Sequence, residues 1–132
     1  MNKEFVPYEL ALELKQLGFD DKCIHHYKKN MEGGHSTIPT FEMNTPFGKN
    51  YNSFTSRVSA PTYSQAFRWF REKGIISEIH SDFDRMLGYN RGYIPVVQFI
   101  EFYNNGDCYE TYEEAELTCL KKLIEIVKGG NK

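Results

Sequence analysis

Cysteine is scarce in this chain and carries no framework. Cys23, Cys108 and Cys119 are odd in number and show no CxxC spacing, which disfavours structural disulfides and makes a reducing, cytoplasmic setting the simpler expectation. The three thiols read as small buried apolar side chains. Long apolar runs are missing as well. No stretch approaches the ~20 residues that cross a bilayer, and Met1 to Glu9 lack the apolar centre of a secretory signal. Membrane partners and secretion are therefore not expected. A positive excess is also absent: 16 basic residues against 18 acidic ones leave a net charge of −2, so general nucleic-acid binding is disfavoured.

Catalytic signatures are equally thin. There is no G-x-S-x-G elbow, and Gly33-Gly34 and Pro46-Phe47-Gly48-Lys49 lack the pattern of a phosphate loop. Cys23 with His25-His26, and the His80, Asp82, Asp84 cluster, each offer too few ligands at useful spacing to hold zinc. No catalytic residue, metal or cofactor is assigned. An enzyme of unfamiliar type would have to use His80, Asp82, Asp84 or Glu116, the last inside the apolar arc of the final helix with its carboxylate at the rim.

What is present points to a single α+β domain over residues 1–132. Three helix starts share one pattern, Tyr8-x-x-Ala11, Tyr63-x-x-Ala66 and Tyr112-x-x-Ala115. Pro7 and Pro61 suit a first turn, Thr111 and Glu114 form a capping box, and Gly18, Gly74 and Gly129 are placed to close the helices. Helices are predicted from Pro7 to Leu17, Pro61 to Lys73 and Tyr112 to Lys128. Strands are predicted over Cys23 to Tyr27, Thr37 to Met43, Ile75 to His80 and Tyr93 to Tyr103, the last as one long central strand with Pro95 at an edge or bulge. Asn104-Asn105-Gly106-Asp107 predicts a hairpin turn. The expected architecture is a small antiparallel or mixed sheet with three helices mainly on one face.

The segments FVPYELALELKQLGFD (5–20), APTYSQAFRWFREKG (60–74) and YETYEEAELTCLKKLIEIVK (109–128) resemble a group of small uncharacterised proteins encoded by Bacteroidales and their phages. The resemblance covers the three helices. It implies a cytoplasmic setting and an accessory role in a phage or mobile element, and it brings no functional residue with it.

At 15% the aromatic content exceeds what a minimal core requires. The long polar segment Asn44 to Ser59 carries Phe47, Tyr51 and Phe54 beside Lys49 and Arg57, and Trp69 stands off the apolar stripe of the second helix. Tyr89, Arg91 and Tyr93 repeat that chemistry in a second segment read as irregular, Asp82 to Tyr93. Rings that stack and cations that hold an anion are what a nucleotide-like ligand requires. The leading expectation is thus a non-enzymatic protein in which the two segments converge on a small anionic ligand. The alternative is a protein–protein module, either a homo-oligomer or an inhibitor of a host factor, built on Trp69 and the broad apolar face of the last helix.

Overall fold

The computed structural model describes residues 4–28, 40–41, 48–54 and 57–130. The chain is α+β and its strand pairing is antiparallel throughout the named strands. It divides into two compact units, Met1–Trp69 and Phe70–Lys132. The strands form two three-stranded sheets where the sequence suggested one.

In the first unit, helix α1 (Tyr8–Gln16) precedes β1 (His25–Lys28), β2 (Thr40–Phe41), a short 3-10 turn (Tyr51–Ser53) and β3 (Arg57–Ser59). The sheet order is β2-β1-β3. Leu10, Ala11 and Leu14 bury one face of α1. Gly18, at φ +97°, ends that helix in the left-handed region, as the sequence predicts. The Tyr27 hydroxyl donates to the Val6 carbonyl at 2.7 Å inside the core. The turn foreseen at Gly33-Gly34 and most of the strand foreseen over Thr37 to Met43 lie outside the described residues.

Helix α2 (Tyr63–Glu72) spans the division between the units. Its start is fixed by a cap that sequence reading overlooked. The Gln65 N–H donates to the Thr62 hydroxyl at 3.2 Å, and the Thr62 N–H donates to the Gln65 side-chain oxygen at 3.1 Å. This is a reciprocal capping box, and it leaves Pro61 ahead of the helix, not in its first turn.

The second unit holds β4 (Ser77–Asp84), β5 (Tyr89–Val97), β6 (Ile100–Glu101) and α3 (Tyr112–Gly130), with sheet order β4-β5-β6. The segment read as irregular from Asp82 to Tyr93 is the tip and return of the β4–β5 hairpin. Asp84 organises the tip: its carboxylate accepts from the Met86 and Leu87 N–H groups at 2.9 and 3.1 Å. The long strand foreseen over Tyr93 to Tyr103 is broken. Gln98 (φ +52°) and Phe99 (φ +70°) make a two-residue turn, and Val97 faces Ile100 across it. Period-2 apolar residues on both arms disguised the reversal, because no Asn or Gly marks it. The turn at Asn104 to Asp107 is present, with Asn105 and Gly106 at positive φ. Gly129 does not terminate α3, which runs to Gly130. The Thr111 hydroxyl caps α3 by accepting from the Glu114 N–H at 3.1 Å. Ala115, Cys119, Leu120, Leu123 and Ile124 bury one side of this helix, whereas Ile126 is exposed. Among the described residues no helix is long and apolar enough to cross a membrane.

Burial decides the titration of the inner thiols. It pushes Cys23 from its ordinary 9.0 up to about 12 and Cys119 up to about 11. It also pushes Tyr27 from 10.0 up to about 12. The folded chain thus keeps protons that the unfolded chain releases, so stability is full below about pH 9 and is lost as pH rises through that range. The melting temperature is expected to fall between about pH 9 and about pH 12; a flat profile in scanning calorimetry would contradict the burial of these groups.

Candidate functional site

Four of the residues singled out in the sequence gather on one corner of the first unit. Lys49 enters through a pinned backbone: its N–H donates to the Cys23 carbonyl and its carbonyl accepts from the Cys23 N–H, both at 3.0 Å. Gly48, at φ +76°, permits that approach, since a Cβ there would stand 2.7 Å from the Cys23 carbonyl oxygen. The 3-10 turn follows, closed at its start by the Asn50 side chain, which accepts from the Asn52 N–H at 3.0 Å. Asn52 then joins two distant backbones. Its amide donates to the Phe19 carbonyl at 2.9 Å and accepts from the Ser59 N–H at 2.8 Å.

This framework buries Tyr51 completely, with its ring stacked on His26 at 4.1 Å and 24°. Phe54, two residues beyond Asn52, stays 43% exposed. Two cations flank these rings. The Lys49 ammonium lies 5.5 Å from the Tyr51 centroid and 5.2 Å from that of Phe54. The Arg57 guanidinium lies 5.9 and 5.3 Å from the same centroids. These distances are within cation–π range.

Two further cations were not singled out from sequence. Lys15, in the last turn of α1, donates to the carbonyls of Phe54 and Arg57, both at 2.8 Å. Partial burial holds its ammonium below the usual lysine range. Lys28 is the register partner of Arg57 across β1 and β3. Only the non-local pairing brings these side chains to the corner, so no local signal announced them. Like charges directly opposite in a sheet are mutually unfavourable, and the corner collects four cations from four parts of the chain.

Trp69 stands elsewhere in the unit. It is 4% exposed and packs on Phe19, centroids 5.5 Å apart, so its link to the corner runs through Phe19 and Asn52. Phe47 lies outside the described residues. Tyr89, Arg91 and Tyr93 belong to the second unit. There Tyr89 is exposed, Arg91 pairs with Asp107 at 3.5 Å, and Tyr93 makes an edge contact with Tyr112 at 5.4 Å.

The residues weighed for catalysis hold separate positions. His80 contacts the Glu78 carboxylate on an exposed strand, and Asp84 is committed to its own turn. Burial, with Glu113 nearby, raises the Glu116 carboxyl above its usual range. Among the described residues no group of three or more His, Cys, Asp or Glu is placed to hold a metal ion. Comparison with protein-family models, with curated proteins and with solved structures finds no match.

Because Trp69 is buried, its loss removes core packing. Trp69→Ala is expected to cost about 3–5 kcal/mol of stability, read as a lowered denaturant midpoint. An unchanged midpoint would show that the indole does not support the unit.

Proposed function

We propose that the first unit is a non-enzymatic binding module for a small anionic, ring-bearing ligand of the nucleotide type. The observation that carries this reading is the half-exposed Phe54 ring with both Lys49 and Arg57 within 6 Å of its centroid. A base stacks on an exposed aromatic face, and phosphate oxygens accept charge-assisted hydrogen bonds from guanidinium and ammonium groups.

Lys15 has a positioning role: by holding the carbonyls of Phe54 and Arg57 it fixes both ends of the segment that presents the ring. The chemistry is retention of a ligand, with no bond made or broken. In the phage setting suggested by the three helical segments, such a module would sequester a nucleotide signal of the host and so blunt a defence response.

Titration calorimetry with a panel of linear and cyclic nucleotides, nucleosides and inorganic phosphate tests the reading. Binding is expected for one or more nucleotides and weaker or absent for phosphate or nucleoside alone. Phe54→Ala should cost about 1–3 kcal/mol of binding energy, and Arg57→Ala should weaken binding by at least a comparable amount while leaving the melting curve in place. Silence across the whole panel removes the proposal.

A further inference from the structure

The second unit carries a strand edge with an internal order of its own. In β4 the backbone groups alternate between β5 and the outside, and the hydrogen bonds fix which residues face which way. Gln98 donates to the Ile76 carbonyl, so Ile76 faces β5, while Phe102 donates to the Pro95 carbonyl on the opposite side of β5. With Ile79 opposite Pro95 and Glu78 opposite Val96, it is Ser77, Ile79 and Ser81 that turn N–H and C=O outward. Among the described residues nothing bonds these outward groups.

Natural edges are usually blunted by proline, lysine or a bulge. The run Ser77–Ser81 has neither residue. The nearby bulge lies on the other strand: between the pairs Ser81–Tyr93 and Phe83–Asn90, Arg91 and Gly92 of β5 stand against Asp82 alone. Gly92 makes this possible, because a Cβ there would collide with the Tyr109 carbonyl and the Cys108 sulfur. The extra residue is absorbed in β5, so β4 itself is left free of a bulge.

We propose that this edge pairs with a second copy of the chain, antiparallel about a two-fold axis through Ile79. In that register Ile79 faces its own counterpart, Ser77 faces the partner subunit's Ser81, and all three outward residues find bonds. Charge selects this register. It sets Glu78 against the partner subunit's His80 and His80 against the partner subunit's Glu78, so the sequence Glu-Ile-His is self-complementary under the two-fold. Moving the axis to His80 sets Glu78 against the partner subunit's Asp82, and moving it between Ser77 and Ile79 sets Glu78 against its own counterpart; both oppose carboxylates directly. The Glu78–His80 contact already present within one strand then becomes half of a ring of alternating acid and imidazole. A closed, isologous dimer results, with the sheet of the second unit running across the axis.

Sedimentation velocity of the full chain over a concentration series tests this. A monomer–dimer equilibrium is expected. Ser81→Pro, which removes an outward N–H and none directed at β5, should shift the chain to monomer with its circular dichroism unchanged. Glu78→Lys should weaken the dimer at least tenfold, and adding His80→Glu to it should restore association by exchanging the two charges. A chain that stays monomeric at every concentration overturns the proposal, as does a dimer indifferent to Ser81→Pro. A dimer strengthened by Glu78→Lys overturns the register, since only an axis at His80 would oppose that lysine to Asp82.

Discussion

The cationic corner depends on one side-chain amide. Asn52 holds the loop after α1 through the Phe19 carbonyl and holds β3 through the Ser59 N–H, so that loop, the 3-10 turn and β3 are locked at a single residue. A hydrogen bond of this kind contributes only about 1 kcal/mol net, yet a partly buried backbone group left unpaired costs roughly 1–3 kcal/mol. Asn52 therefore matters more for what it prevents than for what it adds. With its backbone held there, Tyr51 is driven inward onto His26, and the next aromatic, Phe54, stays at the surface. Burial of one ring and exposure of the other follow from the same constraint.

The net charge of −2 is small, and what matters is where individual charges stand. Lys15, Lys28, Lys49 and Arg57 collect on one corner of the first unit, whereas β4 of the second carries Glu78, Asp82 and Asp84. Crowding like charges in one place opposes compaction. Lys28 and Arg57 stand opposite each other across a regular antiparallel pair, and their strand neighbours His26, Tyr27, Val58 and Ser59 are buried.

The helices were legible because their signals are local. Apolar periodicity, a threonine cap and glycines at positive φ each act within a few residues, and all three helices stand within about two residues of where the sequence places them. Lys49, Tyr51, Phe54 and Arg57 were legible for the same reason, lying within nine positions of one another. Lys15 and Lys28 were not, since nothing near them in sequence records that α1 and β1 deliver them to the same corner. Trp69 marks the opposite difficulty. The sequence sets it off the helical stripe, yet it is buried on the same face of α2 as Tyr63, Ala66 and Phe70, because Phe19 covers the ring, and that covering is decided by tertiary packing. The break in the long strand foreseen over Tyr93 to Tyr103 was hidden by Gln98-Phe99, a reversal written in residues that ordinarily avoid positive φ.

Pro95 sets the direction in which the second sheet can grow. It lies in the middle strand, where proline is normally excluded because it cannot donate to a neighbour. It is tolerated because its missing N–H points to the side of β6, and β6 ends after two residues. Beyond that point the far side of β5 is filled by single contacts instead of a ladder, from Phe102 to the Pro95 carbonyl and between Tyr109 and Tyr93. That side is interrupted and offers no continuous template. β4 is eight residues long, and no proline interrupts its outward groups. One proline in the central strand thus closes one edge to extension and leaves the other as the edge along which the sheet can continue.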